Sequence, residues 1–243
     1  MNTQILVLSL RQLLGRRRTF ALVALALLPL LVAVVFRTGN SDTDPVDWTA
    51  NALLNGLIVT TLLPLVTLVL STTSLGMEIE DGTIVYLLSK PLSRAQVIIA
   101  KLMASWVPAA WLVALSAALS GSIALQGSGE STLLLAFVIA AALGALAYSS
   151  LFLLLSLLTT RALVFGLIYV FIWEGIVTGL FSGTRTLSIR EYTLGVADLL
   201  TGTDKFDAHL NGVTPLAFMA VVTTAFVALA IRRLNRFEAR NLF

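Results

Sequence analysis

The chain of 243 residues has no cysteine and a single histidine, His209. Disulfides, thiol catalysis and Cys/His zinc sites are therefore excluded. Charge is scarce too: 12% of residues are Asp, Glu, Lys or Arg, against 58% hydrophobic and a mean hydropathy of +0.94. A soluble domain carries about twice that share of charge, and there is too little polar residue here to coat one large core. The implied solvent is the bilayer. The net charge of +3, despite a pI of 9.6, is too small to imply nucleic acid as a partner. The phosphate loop G-x-x-x-x-G-K-[ST], the G-x-S-x-G elbow, H-E-x-x-H and a dinucleotide fingerprint are all missing. No catalytic residue and no metal site are expected, and His209, among Asp204, Asp207 and Asn211, is read as a solvated loop histidine.

What is present is apolar length. A segment of about 20 apolar residues spans the hydrocarbon core, and six qualify: 20–36, 53–75, 97–121, 132–158, 162–181 and 213–231. The predicted fold class is an all-α membrane protein of six transmembrane helices in one domain over 1–243. Only Thr159, Thr160 and Arg161 separate the fourth and fifth spans, which predicts a tight antiparallel hairpin. Pro29, Pro64 and Pro108 fall inside the first three and mark expected kinks. The pair Arg17-Arg18 before an apolar run resembles a twin-arginine signal, but no small-residue cleavage site follows, so a retained first span is expected. Upstream, Ile5, Leu6, Leu8, Leu10, Leu13 and Leu14 interleave with Gln4, Ser9, Arg11 and Gln12, predicting a helix in the membrane interface.

Orientation follows from lysine and arginine. With six spans, one face holds Arg11, Arg16, Arg17, Arg18, Lys90, Arg94, Lys101, Arg161, Arg232, Arg233, Arg236 and Arg240. The other holds only Arg37, Arg185, Arg190 and Lys205. Both termini are therefore expected on the cytoplasmic side of the plasma membrane.

Glu174, in IYVFIWEGIVTG, is the one acid within a span, about 18 Å deep at 1.5 Å per residue from 162. An intramembrane acid points either to a translocation pathway or to a packing role facing a watery vestibule or a partner's backbone; protonation coupling is a third reading, though one carboxylate does not make a relay. Gly175, Gly179 and Gly183 follow at four-residue spacing, a stripe that lets another helix approach closely. The external segment 182–212 carries apolar patches at Tyr192-Thr193-Leu194 and Val196 to Leu200, which predict short helices dipping back into the outer leaflet.

The densest charge lies at 76–102, GMEIEDGTIVYLLSKPLSRAQVIIAKL. Gly82 allows a turn, Thr83 suits the N-cap of a short helix through Ser89, and Pro91 stops it. Ser93-Arg94-Ala95-Gln96 matches a capping box at the start of the third span. A connector between antiparallel helices needs only a few residues; this longer, charged one suggests docking onto a soluble partner. The words Glu78-x-Glu80-x-Gly82-Thr83, Leu87-Leu88-Ser89-x-Pro91-Leu92-Ser93-Arg94 and Lys101 resemble the E-x-E-x-G-T, L-L-S-x-P-x-S-R and K pattern of ABC-2 type permeases, the membrane subunits of ATP-binding-cassette exporters. The resemblance runs over the whole chain, from the basic N-terminus to the polar segment before the last span.

It implies that the loop is the coupling segment, with Glu78, Glu80, Arg94 and Lys101 contacting the partner or bracing the segment. It implies that Gly82, Thr83, Pro91 and Ser93 shape it. It also implies two permease chains, as a homodimer or heterodimer, and a nucleotide-binding ATPase subunit that holds ATP and Mg, no cofactor being bound by this chain. An ion- or proton-driven secondary transporter would need paired intramembrane charges and broken helices in both halves, and only Glu174 is available. An intramembrane enzyme would need a polar cluster at depth. A scaffold or sensor without transport stays open as an alternative.

Overall fold

The computed structural model describes residues 16–39, 43–76, 93–180, 182–202 and 212–241. Among them every regular element is helical. In hydrocarbon a helix satisfies its own backbone, so long Leu-, Ala- and Val-rich runs resolve this way. We number the helices α1 (Arg16–Thr38), α2 (Pro45–Gly76), α3 (Arg94–Ala124), α4 (Ser131–Leu158), α5 (Ala162–Leu180), α6 (Ile189–Thr201) and α7 (Thr214–Asn241). All but α6 are long and apolar enough to cross a membrane. The predicted interfacial helix and the short helix of 83–89 lie outside the described residues.

The second span starts earlier than the sequence reading put it, at Pro45 rather than 53. Asp44 accepts a hydrogen bond from the Val46 amide at 3.1 Å, and Pro45 occupies the first turn, where its missing N–H costs nothing. Two stretches of α2 are wound as π-helix, Thr49–Leu62 and Thr72–Gly76, as is Tyr169–Val177 of α5. The first ends where Leu63 donates to Ile58 five residues back, one residue before Pro64. Proline lacks an amide proton, and its ring collides with the carbonyl four residues earlier; a wider turn relieves that collision. Thr60 and Thr61 keep the same five-residue register through their hydroxyls, bonding the Asn55 and Gly56 carbonyls at 2.8 and 3.2 Å. Pro29 and Pro108 lie within helices that continue past them.

Helix α4 is the hub, packed by α2, α3, α5, α6 and α7, while α1 lies against α3 and the first half of α2. Small residues allow close approach: Ala104, Ala117, Ser120 and Gly121 of α3 and Ala136, Ala140 and Ala141 of α4 are all buried. Polar ties supplement the packing. The Ser116 hydroxyl of α3 bonds the Ala26 carbonyl of α1 at 2.7 Å, and the Trp106 indole bonds the Ala142 carbonyl of α4 at 2.9 Å. Helices α2, α3 and α4 are mostly buried, whereas α1, α5 and α7 present most of their apolar surface outward.

The polar segment after α5 is ordered as a 3-10 turn, Ser182–Leu187, followed by α6. Both apolar patches noted in the sequence fall in α6, whose residues from Ile189 to Ala197 are buried apart from half-buried Arg190. It packs on α4, α7 and the start of α2.

Candidate functional site

Two places concentrate polar side chains. The first is the base of the 77–92 loop. Glu78, Glu80, Gly82, Thr83 and Pro91 lie outside the described residues; Ser93, Arg94 and Lys101 lie within them. Ser93 has extended φ/ψ of −67° and 140°, and its hydroxyl accepts from the Gln96 amide at 3.3 Å. The Gln96 side chain accepts in return from the Ser93 amide at 3.3 Å. The predicted capping box is therefore formed, and it fixes where α3 begins.

Arg94 is half-buried in the first turn and Lys101 is 1% exposed two turns on; both are engaged within the chain. The burial of Lys101 suits bracing rather than contact with a partner. Beside it the Ser74 hydroxyl donates to the Lys101 carbonyl at 3.3 Å, joining the end of α2 to α3. Below these ends Leu75, Val97, Ile98, Leu153, Leu157 and Leu234 share one buried apolar cluster. The ends of α2 and α3 on either side of the loop thus pack directly on α4 and α7.

The second place surrounds Glu174. Its carboxylate accepts from the Tyr169 hydroxyl at 2.8 Å, the Ile189 amide at 3.0 Å and the Ser188 hydroxyl at 2.5 Å. Ser188 is the N-cap of α6, with extended φ/ψ, and its oxygen accepts from the Glu191 amide at 3.2 Å while its proton goes to Glu174. A carboxylate at a helix N-terminus meets orphan amides and the positive end of the dipole. Glu174, 3% exposed, therefore pins α6 to α5. The end of α5 is closed in the same way: Thr184 donates to the Val177 carbonyl at 3.2 Å and Arg185 to the Thr178 carbonyl at 3.2 Å.

Arg190 reaches Asn55 of α2 at 3.3 Å, while Glu191 is buried with one oxygen unpartnered. Tyr169, Ser188 and Asn55 were not anticipated from the sequence. Ser188-x-x-Glu191 before an apolar run is a helix-start signature that marks α6; nothing local marks Tyr169 or Asn55.

The glycine stripe is placed differently from the close-packed contacts. Gly175, Gly179 and Gly183 are exposed, and a Cβ at Gly179 or Gly183 would meet nothing within 4 Å. The tight positions are others: a Cβ would run into Leu68 at Gly166 of α5 and into Leu134 at Gly121 of α3, and would come within 2.5 Å of the Thr193 hydroxyl of α6 and 3.1 Å of Leu63 at Gly144 of α4. Among the described residues no group of three or more His, Cys, Asp or Glu could hold a metal ion.

The sequence model of a family described as "ABC-2 family transporter protein" matches residues 14–177, more than half of the chain. The chain belongs to the ABC-2 transporter family. It is an ABC-2 type permease, a multi-pass membrane component of an ABC transporter rather than the ATPase. No curated protein matches it. The matched part of the permease covers α1 to α4, the 77–92 loop and α5 through Val177. Glu174 is thus inside the match, while its partners Ser188 and Ile189 lie beyond it.

Proposed function

We propose that this permease is the membrane half of an ABC exporter driven by ATP hydrolysis on a separate nucleotide-binding subunit. Two permease chains and two ATPases would form the working unit in the plasma membrane, with both termini on the cytoplasmic side. The observation that carries the reading is the shared packing at the base of the 77–92 loop. The capped start of α3, the end of α2, the hub helix α4 and α7 meet there in one apolar cluster. ATP binding would draw the ATPases together and push the loop, with Glu78, Glu80 and Arg94 at the contact. Lys101 braces the base, and Gly82, Thr83, Pro91 and Ser93 hold the loop's shape. The push reaches the bundle as a switch between conformations that opens a route between the two permeases, with α6, held by Glu174, covering its outer end. ATP and Mg are bound by the partner.

Affinity purification of the tagged chain in mild detergent tests the reading. A P-loop ATPase is expected to come along in equal stoichiometry. Gly82→Val is expected to abolish ATP-driven transport while leaving membrane insertion intact. A chain that purifies alone and transports without ATP overturns the proposal.

A further inference from the structure

At the same end of the bundle as the loop base, α4 and α7 part to leave a cavity of about 320 Å³ lined by Leu154, Leu158, Leu229, Arg232, Arg233 and Arg236. On α7 the lining residues are spaced by three, four and seven, so they form one stripe. Leu154 and Leu158 face it from the last turn and a half of α4. The candidate membrane spans of α4 and α7 end at Leu158 and Arg236, so the cavity lies at their ends. Leu154 also belongs to the buried cluster with Leu75, Val97 and Ile98, so the cavity opens on the side from which the 77–92 loop emerges. Arg233 is half-buried and engaged within the chain. Arg232 and Arg236 are exposed, and among the described residues neither has an ion-pair partner.

The chemistry is two-faced. Two guanidiniums one helical turn apart present forked donors that match phosphate oxygens. Directly toward the hydrocarbon, three leucines offer a wall with no polar atom. A soluble anion uses only the first of these. A phospholipid uses both, its phosphate on the arginines and its acyl chain along the leucines, and basic pockets at the ends of membrane helices suit anionic headgroups. We propose that this cavity is a binding site for one anionic phospholipid, wedged between α4 and α7 beside the helices that carry the loop. The site is independent of whether an ATPase docks on that loop.

The test uses the full chain reconstituted in nanodiscs of mixed phosphatidylcholine and phosphatidylglycerol, re-extracted in mild detergent and examined by native mass spectrometry. Wild-type protein is expected to retain phosphatidylglycerol over phosphatidylcholine. Arg232→Gln with Arg236→Gln should reduce that retention about tenfold or more, since each basic residue at an anionic surface contributes on that scale. Leu229→Trp, which fills the cavity and keeps the charge, should reduce it too, and inorganic phosphate should not displace the lipid. Equal retention of the two lipids overturns the proposal. So does displacement by inorganic phosphate, which would mark a free-anion site. Unchanged lipid retention in the double variant, with loss of a co-purifying protein, would make the patch a protein dock and also overturns it. Arg232→Lys with Arg236→Lys, which preserves charge and fold, is expected to fall between wild type and the Gln pair.

Discussion

A buried carboxylate that accepts from three donors has little lone-pair capacity left for other partners, and Glu174 is in that position. Removing it strands the Ile189 amide and the Ser188 and Tyr169 hydroxyls away from water. Each stranded group costs about 1–3 kcal/mol. Glu174→Ala should therefore lower the thermal midpoint by at least about 6 °C for a chain of this size, the lower end for three stranded groups at about 2 °C per kcal/mol. Glu174→Gln should fall between, because its amide NH2 must face a donor. Hydrogen exchange over 189–201 should rise in step; an unchanged midpoint with unchanged exchange would show that α6 is held by other means. Gly144 gives a second test. Gly144→Val forces its new methyls onto buried Thr193 and Leu63 and should cost about 1–3 kcal/mol of overpacking, read as a lower midpoint. The presence of Glu174 was legible as an oddity of composition, but its role was not. Ser188 and Ile189 lie fourteen and fifteen residues away, and only the turn between α5 and α6 brings them back.

Elements differ in how openly the sequence declares them. An apolar run of twenty residues spans lipid whatever its neighbours do, which is why α1, α3, α4 and α5 lie close to their predicted bounds. The first turns of α2 contain Asp47 and Asn51, which dilute hydropathy, so an apolar run does not reveal the Asp44-Pro45 start. Helix α6 spans only Ile189–Thr201 and mixes Arg190, Glu191 and Asp198 with apolar residues. Its two patches predicted embedding, while its length and single axis depend on Ser188 at one end and on Gly202, with φ of 60°, at the other. Embedding is measurable, and a chain without cysteine needs no background removed. A cysteine at Val196, 2% exposed, should react with a polar maleimide at least about tenfold more slowly than one at Leu187, 62% exposed. Reaction at Val196 requires a local opening, and each 1.4 kcal/mol of opening slows it tenfold. Equal rates would place α6 in water.

At the scale of the whole molecule, the outward faces of α1, α5 and α7 need a neighbour. Phe20, Leu31 and Val35 on α1 and Phe171, Ile176 and Leu180 on α5 are all more than half exposed. Lipid covers such faces without selectivity, because acyl chains are as apolar as leucine. Helix association in the membrane instead depends on close packing at small residues. Gly175 and Gly179 of α5, with Gly183 in the turn that follows, are exposed, and among the described residues a Cβ at Gly179 or Gly183 would meet nothing within 4 Å. The spacing of this stripe could be read from the sequence, but whether it faced inward could not, since that depends on which side of α5 meets α4. If the two permeases of the proposed exporter meet here, Gly179→Leu removes the close approach, while a Cβ at this position meets no described residue of its own protomer within 4 Å. A reporter cysteine at Ile176, 55% exposed and one turn away, should then cross-link two chains efficiently in native membranes. Gly179→Leu should cut that cross-linking about tenfold, as expected for losing roughly 1.4 kcal/mol of packing, with the thermal midpoint of the monomer unchanged. Cross-linking that survives Gly179→Leu at full yield would move the interface to α1 or α7. A fall in the monomer's own midpoint would instead return the stripe to packing within the chain.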